Sequence, residues 1–381
     1  MKILLIGEYS GVHSNLADAL RLQGHIVFTV SDGDSYKNFP RDITIKRKHI
    51  SGKLGLLCEL ILEYLGVKGF ICYLLNLKKI NSLKGYDVVQ IINPVALEAF
   101  GSIANILFIK KLSKSNGSLF LCALGDDARW VDTCLTGGFK YSPFNGLTLK
   151  TAIKYSYSLR YKYGLFFKTL QKTAERLSER IIPGLLDYKK AYENSEKCTG
   201  IIRIPLSESL ITQAKEKLIQ LESSQDSKYR VIRIFHGWQL GRELKKGNYI
   251  FDDAVEKYLA QKNENVDYQV VTSVPYNEYI SKLNCSDIFL DQTNSYDRGV
   301  NALLGMAYGC VVFSGFEDRD IYPDIGINAV PSSDAIYDSL ERLINDPKLM
   351  YDIKINALKF IIENHEPSLI ANKYLEVWSL K

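Results

Sequence analysis

Residues 1–30 read MKILLIGEYSGVHSNLADALRLQGHIVFTV, and the order of apolar and polar positions here decides the fold class. Residues 2–7 are a short apolar run with no polar alternation, the pattern of a strand covered on both faces. From 10 to 24, Leu16, Ala19, Leu20 and Leu22 recur at helical spacing, and HIVFTVS at 25–31 is a second apolar run. The stretch is strand, loop, helix, strand. Parallel neighbours need a crossover connection, and the right-handed crossover lays helices on the sheet faces, so the first half of the chain is expected to be α/β.

Working outward, further strands are expected at 87–92, 118–123, 180–183 and 200–204, with helical patterning between them. A second series starts at Tyr229: YRVIRIFHG, a helix near 250–261, VDYQVVTSV, a helix near 277–284, DIFLDQ, a helix near 300–308 and CVVFSG. Repeated alternation of this kind builds doubly wound parallel sheets. Between the two series lies IPLSESLITQAKEKLIQLESSQDSK, a proline-marked exit, a polar helix and a Ser/Asp-rich joint. The expected layout is therefore an N-terminal domain at 1–205, a C-terminal domain at 206–364, and an amphipathic tail at 365–381 that docks through Leu369, Ile370, Tyr374, Val377 and Trp378. At 381 residues the chain is long for one core, which agrees with two domains of about 150 residues or more.

Composition narrows the function classes. With 46% hydrophobic and 24% charged residues the chain is globular and not disordered. Its 48 basic and 43 acidic residues leave a net charge of +5, too little for a dedicated nucleic-acid binder. The seven cysteines, Cys58, Cys72, Cys122, Cys134, Cys198, Cys285 and Cys310, form no Cys-x-x-Cys pair and read as free thiols in a reducing compartment. The opening apolar run is too short for a signal peptide, and the segment 54–77 is interrupted by Glu59, Glu63 and Lys68. A cytoplasmic protein without a membrane span is expected.

In such sheets ligands belong at the carboxyl ends of the strands, beside helix N-termini. After the first strand, GEYSGVHSNLADAL offers Gly7 and Gly11 for a tight turn and His13 at the helix entrance, but no GxGxxG dinucleotide fingerprint. The loop HGWQLGRELKKG at 236–247 gathers Gly237, Gly241, Arg242, Lys245, Lys246 and Gly247, and its guanidinium and ammonium groups beside flexible backbone suit a diphosphate. No GxxxxGK[ST] occurs in it, which removes P-loop chemistry. In DIFLDQTNSYDRGVNALLGMAYG, Gly299 stands at a helix start, and Gln292, Tyr296 and Asn301 are candidates for sugar hydroxyls; Asp297 and Asn301 serve equally well as caps. Asp126 and Asp127 are adjacent, so they bind acceptor hydroxyls or cap the next element. No metal cluster is visible in the sequence.

Taken together, the opening MKILLIGEYSG...NLADALRLQGHIV, RIPLSES, HGWQLGRELKKG, VPYNEYISKLNCSDIFLDQ and GVNALLGMAYGCVVFSG resemble the GT-B-fold nucleotide-sugar glycosyltransferases, in particular the retaining type (glycosyltransferase family 4-like) that builds bacterial surface polysaccharides. The resemblance implies two Rossmann-like doubly wound domains facing a cleft, with a C-terminal helix crossing back to the N-terminal domain. It implies a UDP- or GDP-linked sugar as co-substrate, no other cofactor, and a lipid-linked or oligosaccharide acceptor. Arg242 and Lys246 would hold the donor diphosphate, and Gly11 would lie in the loop over the reaction centre. His236, Gly237, Val274, Tyr276, Gln292, Tyr296, Gly299 and Asn301 would complete the donor site, with Val274 and Tyr276 beside the nucleobase. His13, Asn93, Asp126 and Asp127 would contact the acceptor. One departure stands out: the two glutamates that typical members carry eight positions apart are Tyr296 and Leu304 here. A catalytically silent sugar-nucleotide or glycan-binding protein, and a sugar-nucleotide epimerase, are the alternatives.

From 133 to 174 no acidic residue occurs, while Lys140, Lys150, Lys154, Arg160, Lys162, Lys168 and Lys172 alternate with Tyr155, Tyr157, Tyr161, Tyr163, Phe166 and Phe167. With the apolar segment 54–77 this is expected to form a basic aromatic face on an anionic membrane surface.

Overall fold

The computed structural model describes residues 1–33, 39–46, 52–223, 231–261 and 266–380. Their contacts divide the chain into two units: Met1–Gly138, Tyr155–Leu206 and Pro367–Lys381 in the first, Phe139–Lys154 and Ser207–Glu366 in the second. Tyr229 and the joint residues 224–230 lie outside the described residues.

The first unit runs β1 (Lys2–Ile6), α1 (Val12–Leu22), β2 (Ile26–Ser31), β3 (Ile43–Thr44), α2 (Gly52–Tyr64), α3 (Phe70–Leu75), α4 (Leu77–Ser82), β4 (Val88–Ile91), α5 (Gly101–Ser115), β5 (Ser118–Ala123), α6 (Ala128–Leu135), α7 (Ser156–Tyr163), α8 (Phe167–Leu177), β6 (Ile181–Pro183) and α9 (Leu186–Ala191). Its six strands pair in parallel in the order β3-β2-β1-β4-β5-β6, with Ile3 opposite Val27 on one side and Val88 on the other. The central strands are continuous apolar runs because helices cover both faces. Ile3, Leu4, Leu5 and Ile6 are fully buried accordingly. The expected strand at 200–204 is not one. That stretch follows β6 through single hydrogen bonds, Thr199 N to Ile181 O at 2.9 Å and Ile202 N to Pro183 O at 3.1 Å, without building a ladder.

The second unit runs α10 (Glu208–Ser223), β7 (Ile232–Trp238), α11 (Glu243–Lys246), α12 (Asn248–Gln261), β8 (Val266–Thr272), α13 (Tyr276–Asn284), β9 (Ile288–Leu290), α14 (Val300–Ala307), β10 (Val311–Ser314), β11 (Ile327–Asn328), α15 (Ser333–Asn345) and α16 (Pro347–Asn364). Five parallel strands take the order β11-β10-β9-β7-β8 over a core of Ile234, Phe251, Ile288, Leu290, Phe313 and Leu340. The polar helix expected as a linker is α10, which buries Ile211 and Ala214 and packs on α14 and α16.

Two further segments join units out of chain order. Residues 139–154 group with the second unit although 1–205 reads as one domain in sequence; Tyr141 and Phe139 pack on the ring of Tyr296, and Tyr141 hydrogen-bonds Glu317. The tail is α17 (Pro367–Ser379), which returns to the first unit as expected. Ile370, Ala371, Tyr374 and Trp378 join Ile3, Leu16, Leu20 and Phe120 in one cluster, the apolar stripe that demanded a dock.

Candidate functional site

In the second sheet the chain leaves β7 for β8 on one side and reaches β9 on the other, so the loops after β7 and β9 part at the carboxyl edge, the ordinary ligand position of such sheets. The first of these loops ends in the four-residue α11. Lys246 N bonds Arg242 O at 3.0 Å, placing the two cations one turn apart. Lys246 is held: its Nζ lies 2.8 Å from Oδ1 of the buried Asp291, which also accepts from Ser314 Oγ at 3.1 Å. Arg242 is exposed and makes no side-chain hydrogen bond or ion pair among the described residues. Gly247, at φ 70°, is required where the loops touch, since a Cβ there would sit 2.2 Å from Thr293 Oγ1. Thr293 N bonds Lys246 O at 2.9 Å across the same contact.

The second loop is anchored by Arg298, whose buried guanidinium reaches Asp318 at 2.7 and 3.0 Å and Asp297 at 3.1 Å, with the Phe360 ring centroid 4.6 Å away. This fixes the start of α14. A Cβ built on Gly299 meets nothing within 4 Å, so open space lies beside the first amides of that helix, which have no intrahelical acceptor. Gln292 and Asn301 are half-buried and without a side-chain partner among the described residues.

Three expected donor residues have neighbours within the second unit, and Leu304 stands where the resemblance places a glutamate. His236 is buried, with Nε2 2.6 Å from Asn248 Nδ2 and Nδ1 2.8 Å from the Tyr268 hydroxyl and 3.1 Å from Asp252 Oδ1. Burial lowers its pKa, and it supports the loop from within the fold. Gly237 makes room for Tyr279, whose Cε2 would be 2.8 Å from a Cβ. Tyr296 is taken up by residues 139–154: its hydroxyl accepts from Lys140 N and its ring meets Phe139 and Tyr141 edge-on. Leu304 is a buried residue of α14. Val274 is half-buried, whereas Tyr276 is exposed at the start of α13, in the segment tied to β7 by Ser273 N to Trp238 O at 3.3 Å.

In the first unit the equivalent edge lies between β1 and β4, and there polar groups are turned inward. Gly7, at φ 84°, fits because a Cβ would strike Ile92 Cγ2 at 2.3 Å and Ala96 O at 2.6 Å. His13 donates from Nδ1 to Gly7 O at 2.8 Å, and Nε2 meets Gln90 Nε2 at 3.1 Å; Gln90 Oε1 in turn accepts from Trp378 Nε1 at 3.2 Å. Burial lowers the His13 pKa to about 4. Asn93 is buried too, giving Nδ2 to Leu124 O at 2.7 Å and accepting Val95 N at 2.8 Å. Asp127 caps α6 by accepting Trp130 N at 2.7 Å and takes the Tyr192 hydroxyl at 2.6 Å; burial raises its pKa to about 6. Of the expected acceptor set, these three have polar atoms engaged inside the fold. Asp126 is half-buried and accepts from Ser158 Oγ. Gly11, at φ 86°, opens α1 with Phe39 Cε1 2.9 Å from a would-be Cβ.

No family model and no curated protein matches the chain. Solved structures do. HepE of Anabaena in complex with UDP is 13% identical, with 100% of both chains covered and a TM-score of 0.56. Sucrose-phosphate synthase of Thermosynechococcus elongatus is 12% identical over 99% of this chain and 98% of that one, with a TM-score of 0.61. A protein of Listeria monocytogenes described as a UDP-N-acetylglucosamine 2-epimerase is 9% identical over 98% and 94%, with a TM-score of 0.51. The fold is GT-B.

Within this GT-B fold, Arg242, Lys246, Gln292, Gly299 and Asn301 sit on the two connections that follow β7 and β9, Lys246 at the end of α11 and Asn301 in the first turn of α14. Sequence reasoning missed Asp291 and Arg298 as the residues that set this edge. The signal for Asp291 was present, a strand-end carboxylate in one segment and a Lys-Lys-Gly loop in another. No group of three or more His, Cys, Asp or Glu is placed to hold a metal among the described residues.

Proposed function

We propose that the chain is a nucleotide-sugar-dependent glycosyltransferase whose second unit binds the donor, a UDP- or GDP-linked sugar. The observation that carries this reading is the pairing of an exposed guanidinium, Arg242, with an ammonium pinned by Asp291, Lys246, at the strand gap that also presents the open start of α14. Two cations and free amides suit a diphosphate, and they act most strongly as its negative charge grows when the sugar leaves. HepE, whose fold this chain shares, was solved with UDP-glucose, which favours the uridine donor. Tyr296 is occupied by residues 139–154, so ribose or sugar hydroxyls fall to Gln292 and Asn301. Val274 and Tyr276 are assigned to the nucleobase.

The reaction is retaining transfer to a lipid-linked or oligosaccharide acceptor in surface-polysaccharide synthesis. The bond from the sugar to phosphate breaks, the bond to the acceptor oxygen forms on the same face, and the acceptor proton passes to the departing diphosphate. No metal or other cofactor is required by this scheme. Asp126 is assigned to the acceptor, and Gly11 to the loop over the reaction centre. The protein is assigned to the cytoplasm, peripheral at the inner face of an anionic membrane; no helix among the described residues is long and apolar enough to cross one.

The epimerase among the fold neighbours supports a second reading, isomerisation of the donor alone. A panel of UDP- and GDP-sugars, with and without glycan and lipid-linked acceptors, separates the two. Nucleotide release that depends on acceptor supports transfer, and donor conversion without acceptor replaces it by epimerisation. Thermal stabilisation by a nucleotide sugar with no turnover on any acceptor leaves a silent binding protein, and no stabilisation by any donor overturns the reading altogether.

A further inference from the structure

Helix α2 is built inside out. Its buried face consists of Gly55, Glu59 and Glu63, the two glutamates being 8% and 2% exposed. The stripe at i, i+3, i+7 and i+11 on the other side is Leu54, Leu57, Ile61 and, one residue past the helix end, Leu65, exposed by 79%, 55%, 51% and 48%. A helix packed on a protein core in water shows the reverse.

The orientation is enforced from within. Glu63 pairs with Lys68 at 2.5 Å and with the buried Arg160 at 3.2 Å, and Arg160 also reaches Glu98 at 2.7 Å. Rolling the helix to hide its leucines would strip Arg160 of a partner in the interior, a heavier penalty than exposed apolar surface. The apolar surface also continues past the turn: α3 buries Cys72 and Tyr73 and exposes Ile71, Leu74 and Leu75. Exposed Phe166 adjoins it, since Leu165 N bonds Tyr64 O at 2.7 Å.

Charge identifies what covers this surface. Between residues 52 and 86 the only acids are Glu59 and Glu63, both buried, whereas Lys53, Lys78, Lys79 and Lys84 are exposed. Such a rim attracts anionic headgroups and would repel an identical rim on a second copy of the chain.

We infer that α2 inserts its leucine stripe into the headgroup boundary of an anionic bilayer, with α3 and Phe166 beside it. This deepens the membrane reading proposed above and rests on it. It centres the contact on α2 and keeps only Phe166 of the 133–174 run, where Arg160, Tyr155, Tyr161 and Phe167 are buried and Lys162 is paired with Asp132.

The test is co-sedimentation with phosphatidylcholine vesicles, with and without phosphatidylglycerol. Leu57→Glu with Ile61→Glu, both at exposed positions, should fold normally by circular dichroism and bind anionic vesicles at least about tenfold more weakly. Lys78→Glu with Lys79→Glu should weaken binding by a smaller, salt-sensitive factor of about fivefold or more. An environment-sensitive dye on the exposed Cys58, in a Cys285→Ser background, should shift to the blue when anionic vesicles are added. Wild-type protein that binds no vesicle refutes the membrane reading as a whole. Wild-type binding that Leu57→Glu with Ile61→Glu retains, or a dye that does not respond, refutes only the role of α2. Vesicle-free dimerisation that Leu57→Glu abolishes would assign the surface to a second copy instead.

Discussion

The loops that follow the first strand of each unit occupy the same place in two similar sheets and are filled in opposite ways. After β1 the backbone closes on its neighbour, with Gly7 against Ile92 and Ala96, and His13 and Asn93 spend their polar atoms on Gly7, Gln90, Leu124 and Val95. After β7 the backbone is tied down equally well, by Gly247 against Thr293, yet Arg242 is left outward and Lys246 is steadied by one carboxylate. A buried polar group without a partner is destabilising, so a fold satisfies such groups internally unless a ligand will do so. Under the proposed function, the contrast is between polar groups satisfied inside the first unit and an exposed guanidinium that a donor anion would meet.

The comparison breaks most visibly at Arg298. Arg298→Ala leaves Asp297 and Asp318 without their cation and should destabilise the second unit by about 3–5 kcal/mol, read from denaturant unfolding. A loss below about 1 kcal/mol would mean that the loop before α14 is not held by this network. Arg242→Ala should do the opposite. Stability should stay within about 0.5 kcal/mol, while sugar transfer falls by about a hundredfold to a thousandfold. Unchanged kinetics would remove the diphosphate role.

Asn93→Ala sharpens the other side. It should lower the stability of the first unit by about 1–3 kcal/mol and leave nucleotide affinity untouched, because its amide serves only the backbone of neighbouring loops. A raised acceptor KM in a variant that melts normally would place Asn93 at the acceptor.

The last prediction concerns pH. The folded chain holds His13 neutral down to about pH 4, whereas the unfolded chain takes up a proton near the ordinary value of 6.5. Stability is therefore lost as pH falls from 6.5 towards 4, by at most about 1.4 kcal/mol per pH unit from this residue. His13→Gln should flatten that part of the profile in urea titrations at stepped pH. Parallel profiles would show that the buried ring is not the group responsible.

Much of the architecture was legible along the chain. The apolar runs at β1, β4, β5 and β10 mark strands covered on both faces, and the stripe of Ile370, Tyr374 and Trp378 announces a docked tail. The site was legible only as a set of places. Arg242 and Lys246 could be found at a strand end, but His13, Asn93, Asp127 and His236 also stand at strand ends and look no different in sequence. The arrangement of the basic aromatic run at 133–174 was hidden for a related reason. Periodicity cannot reveal that Arg160 turns inward to meet Glu63, nearly a hundred positions earlier, or that residues 139–154 leave the first unit to pack on Tyr296.

What the amino-acid order determined by itself is the succession of strands and helices, their grouping into two parallel α/β sheets, and the return of the last helix, because hydrophobic periodicity is a local property of a dozen residues. What only tertiary structure decided is the fate of each polar side chain: whether it is consumed inside, as His13 is by Gln90, or left exposed, as Arg242 is. That outcome, like the outward turn of the α2 leucines, depends on hydrogen-bond and charge partners that the chain brings in from far away.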